Sequence, residues 1–451
     1  ARAIFVATGA QPNVAYEFEH RGHFQRVANQ IFQYQPHQQN DGELQAVAPA
    51  EHCKDAAFGA FTSYQQQDKR VSFIGDTHPV FHGSVVKAIA SGMRTYPHIV
   101  NLFPNPTQGD AQEYAAFRAK MQDLLSARVL SVQRHRSNLV EISVRAPLAA
   151  KQYQAGQFFR VQNFETAAPI LGNTRLQTEA MAMLGAKVDA EAGTINFLVS
   201  EYGASSRLFA TLKVGDPLSV MGPTGAKTPI PKNETVMIIG ERLGAIEMLS
   251  LAPVLKAAGT RVLYVACLQT ADELFSQTTL ESCSDAILWV TASGEKITPQ
   301  RPQDGSYSGD LETALSLYAS GELSQGAPPI ALESVSRVLI MGSTQLMRKV
   351  QHARHTGLKA YFSENTQFTA SVHSTMQCML KGVCAQCLQW QIDPVTKQRT
   401  KAVFACSWQS QPIDIIDIDN LDERLSQNHL QERLANLWLD YLFKEYGVER
   451  V

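Results

Sequence analysis

Residues 376–390 read MQCMLKGVCAQCLQW and place Cys378, Cys384 and Cys387 within ten residues, in a chain of 451 that holds seven cysteines. Five residues separate the first pair, two the second, and eighteen more lead to Cys406. Three close thiolates and one distant one suit a [2Fe-2S] cluster, in which a tight loop wraps one iron and a later strand brings the last ligand. Zinc held by four cysteines is the rival, although zinc ribbons more often carry two separated CxxC knuckles, and here Cys384 and Cys387 form one. Four ordinary thiols are the plain reading. Met376, Met379, Val383 and Leu388 would shield sulfide from water, or serve simply as core.

The other cysteines, Cys53, Cys267 and Cys283, are scattered, and Cys267 at a strand end reads as core. So few thiols, and an odd number, argue against a disulfide framework and for a reducing, cytoplasmic setting. The formal charge of -2 gives no electrostatic reason to expect a nucleic acid or an anionic membrane as partner. No apolar run reaches the roughly 20 residues that span a bilayer, and the first residues lack the layout of a secretory signal.

A chain of this length exceeds one hydrophobic core, so several domains are expected. ARAIFVATG (1–9) starts abruptly as an apolar strand ending in Gly9, as if in mid-domain. A strand at Val71 to Ile74 runs into Gly75-Asp76, and GSVVKAIASGM (83–93) predicts a short helix opening at Gly83 and Ser84. Gln33 to Gln45, rich in Gln, Asn and Asp, reads as an irregular loop. From Met121, short alternating runs such as LVEISVRAP and TINFLVSEYG predict a small antiparallel barrel. Strands at Thr235 to Ile239, Arg261 to Cys267, Ala286 to Thr291 and Arg337 to Met341, with a helix at Ile246 to Ala258, predict a parallel α/β unit. Leu421 to Tyr446 carries Leu430, Leu434, Leu437, Trp438, Tyr441 and Leu442 on a helical period and reads as one packed amphipathic helix.

With VCAQC, Cys406 and the barrel plus α/β unit ahead of them, residues 125–415 resemble the electron-transfer subunit of dihydroorotate dehydrogenase, a ferredoxin reductase-like protein with a C-terminal [2Fe-2S] domain. The first cysteine gap there is usually four residues; here it is five. The resemblance implies FAD on the barrel, held by an Arg-x-x-Ser strand motif and a glycine-led turn opening a helix. EYGASSRLF supplies the turn, with Gly203, Ser205 and Ser206. TEAMAM (178–183) departs from the strand motif, with Glu179 where arginine is expected and Ala182 where serine is expected. An NAD(P) site is implied at Gly240 and Gly244 of GERLG, with GSTQLM (342–347) facing the nicotinamide.

ATGAQPN (7–13) and FIGDTHPVFHGSVVKAIASG (73–92) resemble instead the closing part of a flavoprotein of the glutamate synthase small-subunit or pyridine nucleotide-disulfide oxidoreductase type. That resemblance implies FAD contacts at Gly9, Gly75, Asp76 and Gly83, with Asp76 on the ribityl chain and the following helix aimed at the flavin. The ADP-binding fingerprints of such a fold would lie upstream or on a partner chain.

The expected fold class is therefore α/β plus β-barrel, in several domains. These are a partial two-dinucleotide-domain module over 1–120, an FAD-type barrel over 121–230, an NAD(P)-type α/β domain over 231–365, a [2Fe-2S] domain over 366–415 and a terminal helix over 416–451. The expected function is an iron-sulfur flavoprotein relaying electrons between NAD(P)H, FAD and the cluster to a redox partner protein or an upstream flavoprotein segment, in a hetero- or homo-oligomer. A glutamate synthase-like redox subunit, or a cofactor-depleted scaffold with a structural metal, stays open. His78, His82, His98 and His373 show no two-ligand spacing, and no nucleophile elbow, Walker loop or HExxH occurs, so no catalytic side chain is assigned.

Overall fold

TVMII at Thr235–Ile239 is apolar throughout because both faces of its strand are covered, and Val236 to Ile239 are fully buried. That strand is the centre of the second of two units into which the chain divides, one up to Phe117 and one from Arg118. The computed structural model describes the chain apart from residues 1–11, 15, 16, 18–21, 28–30, 42, 50, 51, 55–60, 67, 68, 104, 106–108, 242, 324, 325 and 373–384. Gly9, His373, Cys378 and Cys384 therefore lie outside the described residues.

In the first unit, strands β1 (Gln35–Asn40), β2 (Glu43–Ala46), β3 (Phe61–Gln66) and β4 (Lys69–Ser72) form an antiparallel sheet in the order β2-β1-β3-β4. The Gln-rich stretch expected to be a loop is a hairpin, turned at Asp41 with φ of 50°. Its strands pair with each other from His37 opposite Ala46 to Asn40 opposite Glu43, Gln35 to His37 also pair with β3, and these ladder bonds override a composition that by itself favours irregular chain. Helix α1 (Val85–Asn101) follows, capped by Ser84 whose hydroxyl accepts from the Lys87 amide. It runs eight residues past the expected end and through Pro97.

Helix α2 (Ala111–Leu125) takes in Met121 to Leu125, so the barrel begins later than the alternating texture suggested. Its strands are β5 (Ala127–Arg136), β6 (Leu139–Arg145), β7 (Phe158–Asn163), β8 (Met181–Asp189), β9 (Thr194–Ser200) and β10 (Pro217–Thr224). They close in the order β8-β9-β6-β5-β10-β7. Every second residue points inward, and Val129, Val140, Ile142, Phe159, Phe197 and Leu218 fill the interior. Between β9 and β10 lies the short helix α3 (Ala204–Leu208).

The α/β part is built from β11 (Thr235–Glu241), α4 (Leu243–Ala257), β12 (Arg261–Leu268), β13 (Ala286–Thr291), β14 (Gly305–Ser308), β15 (Arg337–Met341), α5 (Thr344–Ala353) and β16 (Gln367–Ser371). The hairpin β17 (Leu388–Ile392) and β18 (Arg399–Phe404) then leads to β19 (Ser410–Pro412). The sheet order is β14-β13-β12-β11-β15-β16-β19, parallel except for β19 at the edge. The expected parallel unit is present, and the barrel with this sheet is a ferredoxin reductase-like fold.

The C-terminal segment is two helices rather than one, α6 (Ile418–Ser426) and α7 (His429–Tyr446). Helix α7 packs through Leu439, Leu442 and Phe443, while Leu430, Leu434, Leu437, Trp438 and Tyr441 are at least half exposed. The expected packing stripe was thus largely the wrong face, with Leu442 the one correct member. No described helix is long and apolar enough to cross a membrane.

Candidate functional site

The hairpin β17–β18 brings the distant cysteine to the close one. Cys387 enters β17 from a turn in which Ala385 has φ of 51°, and Cys406 leaves β18 two residues after its end. Leu388 pairs with Phe404, and the Ala405 amide donates to the Cys387 carbonyl at 3.0 Å. The two Sγ atoms stand 3.3 Å apart, both 1% exposed. That separation is far beyond a disulfide bond of about 2.05 Å. The hydrogen bond with Cys406 draws the Cys387 thiol below the ordinary thiol range against the opposing effect of burial, with the Cys406, Cys387 and Ala405 amides adding to it.

Neighbouring elements fix this hairpin. Arg424 on α6 donates to the carbonyls of Ala385 at 3.0 Å and Gln386 at 2.9 Å, the two residues before Cys387. Buried Gln391 bonds Gln411 of β19 at 2.8 Å, and Arg399 meets Asp417 at 2.8 Å. The Ala226 amide, just past β10, donates to the Cys406 carbonyl at 3.3 Å. These bonds hold two free, buried thiols facing one another. No group of three potential metal ligands occurs among the described residues, and the other two expected ligands, Cys378 and Cys384, lie outside them.

The glycine-led turn of the barrel is formed, and several of its polar atoms are engaged within the chain. The Ala204 amide donates to Glu432 of α7 at 3.0 Å. Ser206 Oγ accepts from the Gly203 amide at 3.0 Å and donates to the Gly203 carbonyl at 2.8 Å, and Ser205 Oγ accepts from the Glu179 amide at 2.9 Å. A side-chain carbon on Gly203 would come within 2.8 Å of the Glu432 carboxylate. A diphosphate would meet that carboxylate directly, with Glu179 in place of the expected arginine. The barrel as folded does not fit the diphosphate of FAD. Sequence reasoning missed Glu432 because it lies 228 residues from Ala204 and sits on an ordinary amphipathic pattern.

At the C-terminal ends of the parallel strands, Gly244 opens α4 so close to β15 that an added side-chain carbon would stand 2.3 Å from the Met341 carbonyl. That close approach is the helix–strand packing role of a glycine in such turns. Glu241 beside it accepts from the Ser343 amide at 3.2 Å and hydroxyl at 2.6 Å, at the start of α5. A cavity of about 350 Å³ lies between barrel and sheet, lined by Met181, Met183, Tyr202, Glu241, Met347 and Leu421. This is the low end of the range for small-molecule sites, about 300–1,000 Å³.

In the first unit, Gly75 needs its φ of 69°, and its amide donates to buried Ser91 of α1 at 2.7 Å. Asp76 accepts from the Gly83 amide at 3.0 Å, so Gly75, Asp76 and Gly83 come together beside the start of α1. His78 is fully buried, its Nδ1 accepting from the Val80 and Phe81 amides at 3.0 and 3.1 Å; it organises the turn.

No protein-family model matches the sequence. The chain is 30% identical over 84% of its length to an uncharacterised Rickettsia prowazekii protein, RP006, of which it covers 43%. It is 26% identical, over 33% of its length, to the electron-transfer subunit of dihydroorotate dehydrogenase B (NAD(+)) from Bacillus cereus, of which it covers 56%. The chain thus spans about half the length of these curated relatives. Among solved structures, a chain of the NADH-dependent reduced ferredoxin-NADP oxidoreductase, described for flavin-based electron bifurcation, superposes with a TM-score of 0.54 at 17% identity. The match covers 69% of this chain and 97% of that one, and it shows the fold.

Proposed function

We propose that the chain is the electron-transfer part of an NAD(P)H-linked, flavin-dependent oxidoreductase, and that it delivers electrons through a [2Fe-2S] cluster to a redox partner protein. The observation that carries this reading is the buried Cys387–Cys406 pair, braced against a ferredoxin reductase-like barrel and sheet. Cys378, Cys384, Cys387 and Cys406 would hold the cluster, which supplies one-electron transfer. Around it, Arg424 and the Gln391–Gln411 bond keep the ligand-bearing turn in place, and the burial of both thiols excludes water from their sulfurs.

Flavin, which exchanges a hydride for single electrons, is assigned to the turn at Gly75, Asp76 and Gly83 rather than to the barrel. There Asp76 would accept from ribityl hydroxyls, and the positive end of the 17-residue α1 would face the ring. NAD(P) is assigned to Gly240 and Gly244, at the C-terminal strand ends where open α/β sheets take their ligands.

Anaerobic addition of NADH or NADPH to the purified full chain tests the reading. Loss of the cluster's visible absorption with either nucleotide is expected. Reduction by dithionite alone would contradict the nicotinamide link.

A further inference from the structure

The resemblance to ferredoxin reductase-like proteins implies the diphosphate of FAD at the glycine-led turn that opens α3, and in this chain α7 lies there. Glu432, Asn436 and Asp440 follow one another at four-residue intervals, so they form one stripe on α7. That stripe is laid on α3. Glu432 takes the Ala204 amide, Asn436 accepts from Arg207 at 2.9 Å and donates to the Tyr202 carbonyl at 3.2 Å, and Asp440 pairs with Arg207. Beside it Leu439, Leu442 and Phe443 bury themselves against Leu176 and Leu208. Trp438 donates to Thr174 at 3.1 Å, and the Tyr446 hydroxyl fills the space over Gly172. The terminal Val451 amide reaches the Ala210 carbonyl at 3.1 Å.

We infer that α7 is a resident substitute for the ADP half of a flavin: the Glu432 carboxylate replaces a phosphate on the Ala204 amide, Asp440 neutralises Arg207, and the apolar side chains fill the remaining cleft. Docked α7 and a dinucleotide diphosphate on this barrel exclude one another. The Gly203 and Ala204 amides, the Ser205 and Ser206 hydroxyl oxygens and the Arg207 guanidinium, which a diphosphate could use, already have internal partners. Glu179 adds a second carboxylate-bearing residue at the same turn, its amide held by Ser205. The inference stands on the barrel and α7 alone, so it survives or fails independently of the cluster.

The test uses the full chain and a full-length double variant, Glu432→Gln with Asp440→Asn, in equilibrium dialysis against FAD and against ADP. Hydrogen exchange over residues 200–211 and 428–451 locates any binding and separates the barrel from the turn at Asp76. The double variant is expected to bind at least tenfold more tightly than the parent at residues 200–211, with α7 losing protection as ligand is added. Equal binding by the two proteins, or FAD seated on residues 203–207 of the parent with α7 still protected, would overturn the inference. Unchanged exchange in the β11 and β12 strands shows that the variant is folded.

Discussion

The cysteine hairpin and the turn at Gly203 both lie in the second unit, and they use their polar atoms in opposite ways. At the hairpin, two buried thiols face one another at 3.3 Å, and hydrogen bonds stabilise the ionised form of one of them. At the turn, the Gly203 and Ala204 amides, which could meet a phosphate, donate instead to side chains of the same chain. The first arrangement leaves ligand capacity in place, because neither thiol is tied into a disulfide. The second uses part of its capacity for internal bonds. Two sites on one architecture can therefore differ in what they leave open to a ligand, and fold alone does not decide which ligand is bound.

The largest effect expected from breaking this contrast is at the hairpin. Cys387→Ser or Cys406→Ser should remove most of the bound iron and its visible absorption, whereas Cys283→Ser, outside the set, should leave both unchanged. Iron analysis of the three variants checks this. Next comes the brace: Arg424→Ala frees the Ala385 and Gln386 carbonyls, and loss of such a supporting contact lowers metal affinity by roughly 10–100-fold. Competition with a chelator should expose that loss while the stability of the sheet stays the same.

On the opposite side of the comparison, Leu442→Ala removes a side chain 2% exposed in the contact of α7 with the barrel. It should weaken that contact by roughly 2–5 kcal/mol. Faster hydrogen exchange in residues 428–451, with iron content unaltered, is the expected outcome.

The smallest effect belongs to the sheet. Hydrogen bonds from Arg337 and Ser336 hold the Glu234 carboxyl below its ordinary value of 4.5. A depressed carboxyl contributes stability above that ordinary value and loses it as pH falls through the folded-state one. Because the pair is part exposed, Glu234→Gln should cost less than about 1 kcal/mol at neutral pH and remove that part of the acid sensitivity. Urea midpoints at pH 7 and below pH 4.5 measure it.

The barrel and parallel sheet were legible in the sequence because their periods are regular: alternation in LVEISVR, and an unbroken apolar run in TVMII. The hairpin at Gln35 to Ala46 was missed because its Gln-rich composition outweighed the Asp41-Gly42 pair between the strands, itself a hairpin-turn signal. The division of the C-terminal segment at Gln427 and Asn428 was missed because the apolar residues of α7 also fit a helical period on its exposed side. At the site, cysteine spacing pointed to Cys387 and Cys406, which the fold does bring together. Nothing local to residue 432 marks Glu432 as the partner of Ala204, a contact that only the tertiary fold creates.

Metal analysis of the full chain purified without oxygen, read together with its visible spectrum, tests the central claim most directly. A [2Fe-2S] centre on Cys378, Cys384, Cys387 and Cys406 predicts about two irons per chain and a red-brown absorption that NAD(P)H diminishes. Zinc without iron, or a colourless protein with neither metal, would contradict it.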